Sequence, residues 1–231
     1  MKVKRKNQGF TLIELLVVIT IIALLAGMAM PAFKNVLESA KQTTDVNKIK
    51  QILIACASFA SDWDGVYPSF DPDEPSESGE DSGFGSSTEA FNVLIPEYID
   101  TESAFWIQTK NPAKLRAPKE DGELTMEENC FAYVSGQTNT SYSGSPLVAD
   151  GEMDGPGTYG EFHPWLQSKT AVIGYVGGHV IKERLTSNQP GATVRSKDGL
   201  IEDIFQKRSV GEDGAGSGGN LAVDPDNILL P

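Results

Sequence analysis

The chain has only two histidines and two cysteines in 231 residues, which leaves little material for a catalytic or metal centre. Neither His163 nor His179 lies in a zinc-ligand spacing of close Cys and His pairs. The sequence also lacks a nucleophile elbow and a phosphate-binding glycine loop. We therefore expect that the protein is not an enzyme.

Positive charge is scarce as well. Nineteen Lys and Arg stand against 32 Asp and Glu, for a formal net charge of −13. A surface of this sign repels the phosphates of nucleic acids. The composition therefore argues against a nucleic-acid partner and is typical of a soluble, exported domain.

The two cysteines, Cys56 and Cys130, leave two interpretations open. In an oxidising compartment they have the opportunity to form one disulfide. The alternative is that each is a small buried hydrophobic side chain, because Cys56 lies within an apolar stripe.

One long apolar run is present near the N-terminus. The residues from Leu15 to Phe33 carry no formal charge. As a helix they would span about 28 Å, which is close to the hydrocarbon thickness of a bilayer. Four basic residues within positions 2–6 precede the run. This pattern predicts a cytoplasmic N-terminus, with the rest of the chain on the other side of the membrane.

Glu14 lies near the start of the apolar stretch and has no basic partner in the same helical turn. A carboxylate deep in lipid costs at least about 2.5–3.5 kcal/mol, so such a residue is a candidate for function. Cleavage after Gly9 would create an amine at Phe10, and this amine could pair with Glu14 of a neighbouring chain that is slightly offset. The pattern therefore indicates a staggered stack of helices, that is, a filament.

The residues Lys-Arg-Lys-Asn-Gln-Gly9, followed by Phe10-Thr11-Leu12-Ile13-Glu14, resemble the N-terminal signal of type IV pilins and type II secretion pseudopilins. The resemblance implies that a prepilin peptidase cleaves between Gly9 and Phe10 and methylates the new amine of Phe10. Pro31 matches the proline that this family carries within its first helix.

Two other interpretations of the N-terminus compete with this resemblance. A secretory signal peptide would also have a basic start, and Gly27-Met28-Ala29 would serve as its cleavage site. An uncleaved single-pass anchor is the second alternative. A glutamate within a run of this length is unusual for a signal peptide, which favours the prepilin interpretation.

The sequence divides into four predicted segments: a leader (1–9), a membrane-spanning and assembly helix (10–33), an amphipathic continuation of that helix (34–64) and a globular head (65–231). Removal of the leader takes away four basic groups and leaves 15 Lys and Arg against 32 Asp and Glu, a net charge of −17. Pro31 lacks an amide hydrogen, and we expect a kink or melted segment between Gly27 and Pro31, above all in a filament.

The continuation of the helix has apolar residues at spacings of three and four, which predicts an inner face that packs on the head. These positions are Phe33, Val36, Leu37, Ala40, Val46, Ile49, Ile52, Leu53, Cys56, Ala57 and Ala60. We expect the helix to end with Gly65 as its cap, since Pro68 cannot resume it.

An acidic loop is predicted at 69–88, where acidic residues alternate with Ser, Gly and Pro and basic residues are lacking. A solvated loop is the favoured interpretation, because the glycine-anchored ligand pattern of a calcium loop is missing. We therefore expect no cofactor. If calcium binds at all, the weak candidates for ligands are Asp71, Asp73, Asp150, Asp224 and Asp226.

The head is expected to hold a short helix (88–95) and then strands at 130–135, 146–151, 171–176 and 179–181, with Gly177-Gly178 as a hairpin turn. Val148-Ala149-Asp150-Gly151 and Gly178-His179-Val180 resemble a pseudopilin subgroup, although Gly177 stands where an aspartate is expected. A short helix is predicted at 198–205, followed by an irregular tail after Ser209. The expected fold is α+β and pilin-like, with a long N-terminal helix packed on a small antiparallel sheet.

The function expected from the resemblance is that of a structural subunit of a type II secretion pseudopilus or a type IV pilus-like filament. Its implied partners are further copies, other pseudopilins, the prepilin peptidase, an inner-membrane assembly platform and membrane lipid. The implied location is the bacterial inner membrane, with a periplasmic head, and later the filament. The alternatives are a minor pilin or adhesin with a ligand-binding head and, less favoured, a membrane-anchored periplasmic enzyme.

Overall fold

A long helix and an antiparallel sheet make up most of the regular structure. The computed structural model of the protein describes residues 10–72, 83–114, 116–151, 153–155, 157–194, 204–205 and 228–231. The chain forms two units, Met1–Thr43 and Thr44–Pro231, and helix α1 (Leu12–Asp62) contributes to both.

The first part of α1 is apolar and uncovered. The stretch Leu12–Met30 is long and apolar enough to cross a membrane, and none of it is buried within the protein. The helix continues through position 31 without a break. The melted segment predicted between Gly27 and Pro31 is thus not seen in this described part of the isolated chain, and its formation in a filament stays a prediction.

The end of α1 is built from two residues with left-handed backbone conformations, Asp64 (φ 48°) and Gly65 (φ 83°). The amide of Gly65 donates to Ala60 O at 2.7 Å, which satisfies one of the last carbonyls of the helix. A β-carbon at Gly65 would lie 2.6 Å from Asn139 Oδ1, so the Asn139 side chain would have to move, and the positive φ disfavours any other residue there. The predicted helix end at Gly65 is confirmed, with Asp64 sharing the turn.

In its described residues, the head contains one short α-helix, two sheets and three 3-10 helices at Glu102–Phe105, Pro112–Lys114 and Leu166–Ser168. Helix α2 (Ser87–Asn92) precedes the strands. The strands are β1 (Phe131–Val134), β2 (Pro146–Asp150), β3 (Met153–Gly155), β4 (Thr158–Tyr159), β5 (Thr170–Tyr175), β6 (Val180–Arg184) and β7 (Ile228–Leu229). Five of them form an antiparallel sheet in the order β6-β5-β2-β1-β7, while β3 and β4 form a separate hairpin. The α+β, pilin-like fold is therefore confirmed.

The predicted strands correspond to β1, β2, β5 and β6, and the glycine pair forms the turn of the β5–β6 hairpin. Gly178 has a φ of 75° and donates to Tyr175 O at 2.8 Å, as such a tight turn requires. Helix α2 is shorter than predicted, because it ends at Asn92. The side-chain amide of Asn92 donates to Leu124 O and accepts from the Leu124 amide.

The C-terminal prediction needs one correction. The tail after Ser209 was expected to be irregular, but Ile228 and Leu229 form β7, which pairs with β1 at the edge of the sheet. Both side chains are buried, so apolar burial holds this end of the chain. The helix predicted at 198–205 lies outside the described residues except for Ile204 and Phe205, which are in a turn.

Apart from its edge strand β6, the sheet is buried on both faces. One face packs against the second half of α1 in a core that contains Ile49, Ile52, Leu53, Cys56, Phe59, Phe131, Tyr133 and Val172. The other face is covered by a second core that contains Ala132, Val134, Ala149, Tyr159, Leu166, Ile173 and Phe205. Five of the predicted inner-face positions of α1 are instead exposed, namely Phe33, Val36, Leu37, Ala40 and Ala57.

Cys56 and Cys130 both lie in the core beneath α1, but no disulfide joins them. Cys130 Sγ contacts Ile107 O at 3.7 Å as a weak donor. Burial raises the pKa of the Cys56 thiol, which keeps it protonated. Both cysteines are therefore buried thiols in this structure. This corresponds to the interpretation in which each is a small buried hydrophobic side chain.

Candidate functional site

The N-terminus of α1 is a reciprocal cap between Thr11 and Glu14. Glu14 Oε2 accepts hydrogen bonds from the Thr11 amide at 2.9 Å and from Thr11 Oγ1 at 2.6 Å. In return, Thr11 Oγ1 accepts from the Glu14 amide at 3.3 Å. This arrangement is a capping box, in which a threonine and a glutamate three residues later satisfy each other's backbone donors.

The cap gives Glu14 polar partners that the sequence interpretation did not assign to it. Glu14 was considered only for its charge, although the Thr-x-x-Glu spacing is itself a signal for a capping box. Phe10, directly before the cap, is 75% exposed. The structure thus places Phe10, Thr11 and Glu14 together at the first turn of an exposed apolar helix. Gly9 lies outside the described residues.

Comparison with known proteins assigns this segment. Residues 4–30 match the family described as "Prokaryotic N-terminal methylation motif". The N-terminal segment is a prepilin-type methylation motif. A similar protein is the type IV major pilin protein PilA of Myxococcus xanthus (strain DK1622), which is 41% identical over 59 residues. That alignment covers 26% of this chain and 27% of the pilin, so the chain spans about a quarter of the length of this relative.

No solved structure matches the chain. The similarity to the pilin therefore concerns the prepilin motif and the residues that follow it, and the head is characterised by its own geometry. The apolar helix and the prepilin motif together fit a membrane-anchored pilin-like protein.

The candidate calcium ligands do not form a site in the part of the chain that the structure describes. Asp71 is partly exposed, whereas Asp150 is completely buried at the end of β2. Asp73, Asp224 and Asp226 lie outside the described residues. Among the described residues, no group of three or more His, Cys, Asp and Glu is placed to hold a metal ion.

Asp150 instead faces His163, with 3.9 Å between Asp150 Oδ2 and His163 Nε2. The imidazole lies between two carbonyls, because Nδ1 is 3.0 Å from Gly151 O and Nε2 is 2.9 Å from Thr170 O. Neither oxygen of Asp150 has a hydrogen bond of normal geometry. Burial raises the pKa of Asp150. Burial also lowers the pKa of His163, although the hydrogen bonds to the carbonyls of Thr170 and Gly151 act to raise it.

This buried pair has a structural role. His163 lies in the irregular segment between β4 and β5, but its side chain is fully buried and links the chain after β2 to the start of β5. Tyr159 packs on its ring with 4.6 Å between centroids. A group so enclosed has no access to a substrate in solution.

A second polar link joins two loops of the head through Glu102 and Glu120. Glu120 accepts from the amides of Glu102 (2.8 Å) and Ser103 (2.9 Å) and from the Thr101 hydroxyl (3.1 Å). Glu102 accepts in turn from the amides of Glu120 (3.0 Å) and Gly122. Although desolvation acts to raise it, the amides and hydroxyls hold the pKa of Glu120 below its ordinary value.

Lys48 on α1 is part of the attachment of the helix to the head. Its Nζ donates to Ser103 O at 2.8 Å and also to Trp106 O, and it lies 5.6 Å from the centroid of the Trp106 ring. By spacing alone, Lys48 falls between the apolar positions of the helix. Partial burial lowers its pKa, against the attraction of Asp45.

Proposed function

We propose that this protein is a structural subunit of a type IV pilus-like or type II secretion filament. In this proposal a prepilin peptidase removes residues 1–9 on the cytoplasmic side and methylates the amine of Phe10. The observation that carries the proposal is the methylation motif at 4–30, which leads directly into an uncovered apolar helix.

The proposed assembly step uses the geometry at the first turn of α1. In the isolated chain the carboxylate of Glu14 is satisfied by Thr11 of the same molecule. In the filament the Phe10 amine of a neighbouring subunit provides an opposite charge for Glu14 and fixes the axial offset between the two helices. A charge left unpaired in a dry helix bundle is costly, so incorrect registers are disfavoured.

The exposed apolar surface of α1 supplies the packing contacts of the proposed filament. Phe33, Val36 and Leu37 continue the apolar surface beyond the span Leu12–Met30, and all three are exposed in the isolated chain. Within lipid, helices associate mainly through close packing rather than through loss of contact with water. Neighbouring copies, other pseudopilins and an inner-membrane assembly platform are the partners in this proposal.

The remaining parts of the proposal follow from charge and topology. The basic leader remains in the cytoplasm, and the head lies in the periplasm and later on the filament. The mature chain, with a net charge of −17, does not use nucleic acid as a partner. We assign no catalytic role and no cofactor to the head.

The test of processing is the intact mass of the protein recovered from its native membrane fraction. A mass that lacks residues 1–9 and is greater by one methyl group supports the proposal. A full-length mass, or cleavage near Ala29, contradicts it. Gly9→Leu should retain the leader, because a large residue then occupies the cleavage position, whereas the control Gly27→Leu should be processed normally.

A further inference from the structure

A cavity of 330 Å³ opens in the head where α1 ends. Its wall combines aromatic, proline and acidic side chains with an amide and two aliphatic groups. The lining residues are Trp63, Asp71, Pro72, Asn92, Val93, Ile95, Pro96, Glu97 and Tyr98. The volume lies at the lower end of the range for ligand pockets, about 300–1,000 Å³, and is adequate for one large side chain.

The aromatic part of the wall is held in place from several sides. Trp63 Nε1 donates to the hydroxyl of Tyr98 at 3.3 Å. The Trp63 ring also contacts Phe70 edge-on at 5.6 Å and Phe59 at 6.0 Å between centroids, and Tyr98 contacts Phe59 edge-on at 5.5 Å. Trp63 nevertheless remains 38% exposed. A large aromatic surface is thus fixed in orientation and open to solvent.

The charge of the cavity has a single sign. Asp71 and Glu97 belong to the lining, and none of its described residues is Lys, Arg or His. Burial is the main cause that raises the pKa of Tyr98, and the nearby carboxylates of Asp62 and Glu97 raise it further. Asp62 is not part of the lining, but its side chain hydrogen-bonds with Tyr98, so a third carboxylate lies beside the tyrosine.

We propose that this cavity binds the side chain of an arginine or lysine presented by a partner polypeptide. A cation over an aromatic ring gains from the ring quadrupole, and carboxylates beside the ring add charge-assisted hydrogen bonds. An anion would meet only like charge. The exposed rim at Pro96 and Glu97 leaves room for the polypeptide to continue on either side of the inserted residue.

The site is independent of the filament proposed above, because it needs neither Phe10 nor Glu14. It would give the head a recognition function for a basic segment of a partner. Failure of processing or assembly would therefore leave this inference intact, and failure of binding would leave the proposed filament intact.

The test uses the full chain in detergent micelles, labelled with fluorotryptophan and observed by fluorine NMR. The protein has three tryptophans, Trp63, Trp106 and Trp165, so the Trp63 signal can be assigned by its loss in Trp63→Phe. The probe is the capped peptide Gly-Arg-Gly, and its matched control carries citrulline, which has nearly the same shape without the charge.

The expected result is a saturable shift of the Trp63 signal with the arginine peptide, and a response at least about fivefold weaker with the citrulline peptide. The Trp106 and Trp165 signals should stay in place. An unmoved Trp63 signal, or an equal response to both peptides, overturns the inference.

Two variants locate the binding. Glu97→Gln should weaken binding of the arginine peptide by about threefold, as expected for the loss of an exposed ion pair. The exposed control Glu161→Gln should leave this binding unchanged. Trp63→Ala should abolish binding, and unchanged Trp106 and Trp165 signals would show that this variant is folded. If those signals move, the test rests on Glu97→Gln instead. Unchanged affinity of that variant for the arginine peptide contradicts the inference.

Discussion

Trp165 donates its indole N–H to Asp45 Oδ2 at 2.7 Å, and both side chains are almost completely buried. This hydrogen bond joins α1 to the turn before β5, across 120 residues of sequence. Loss of the acceptor would leave a buried indole N–H without that partner, a change that costs more than the bond itself contributes.

We expect Asp45→Ala to lower the free energy of unfolding by about 1.5–3 kcal/mol, the usual range for a hydrogen bond to a charged group. The measurement is denaturant unfolding of the full chain in detergent micelles, followed by near-UV circular dichroism. Asp45→Asn retains a hydrogen-bond acceptor, so its free energy of unfolding should fall by less than that of Asp45→Ala. Equal stability of Asp45→Ala and the exposed control Glu123→Ala would contradict this role for Asp45.

Gly174 sets the distance between α1 and the sheet. A β-carbon at this position would lie 2.5 Å from Ile49 Cγ2 and 3.0 Å from Leu53 Cδ1. We expect Gly174→Ala to lower the free energy of unfolding by about 1–3 kcal/mol, because helix and sheet must move apart. The control is Gly83→Ala, since nothing lies within 4 Å of a β-carbon there.

A double-mutant cycle tests the cause of that loss. Ile49→Ala alone should destabilise the core, but in combination with Gly174→Ala it should cost less than the sum of the two single effects, because the new methyl group fills part of the space. Strictly additive changes would show that contact with Ile49 is not the reason for glycine at position 174.

The link between Glu102 and Glu120 predicts a dependence of stability on pH. The pKa of Glu120 in the folded protein is below its ordinary value of 4.5, so the folded state binds this proton less readily than the unfolded state does. The contribution to stability is therefore complete above pH 4.5 and is lost as the pH falls below that value. Thermal unfolding between pH 6 and pH 3.5 should show a smaller decline for Glu120→Gln than for the wild type. Parallel declines in the two proteins would refute the assignment to Glu120.

The regular strands could be predicted from the sequence because their cause is local. The apolar runs of β1 and β5 and the glycine pair at the hairpin carry enough information in themselves. The second core could not be predicted, since Tyr159, Phe205 and Ile228 are distant from one another in the sequence and lie in apolar stretches of at most three residues. Periodicity shows which side of a strand is apolar, but it does not identify what covers that side.

The polar contacts of the head were the least predictable part. Asp150 was a candidate calcium ligand because of its oxygen atoms, but its position at the end of a central strand buries it against His163. Lys48 fits a solvent-facing helix position by spacing, yet two backbone carbonyls draw its ammonium group inward. In each case the partner is a backbone group or a side chain brought close only by the tertiary fold.

The cap between Thr11 and Glu14 allows the charge of Glu14 to be separated from its capping role. Glu14→Gln keeps an acceptor for the Thr11 amide but removes the charge, whereas Thr11→Val removes the hydroxyl of the cap and keeps the charge. If the register of the proposed filament depends on an ion pair, Glu14→Gln and Glu14→Ala should both block assembly while membrane insertion continues. Thr11→Val should still assemble, since its carboxylate remains available to the neighbouring amine.

Assembly is measured by the recovery of sheared filaments from cells, and insertion by the amount of full chain in the membrane fraction. Filaments of normal length from Glu14→Gln would exclude charge pairing as the source of register. Loss of filaments in Thr11→Val alone would instead assign the essential role to the helix cap, because that variant retains Glu14 with its charge. The two variants therefore distinguish an electrostatic mechanism from a requirement for an ordered first turn.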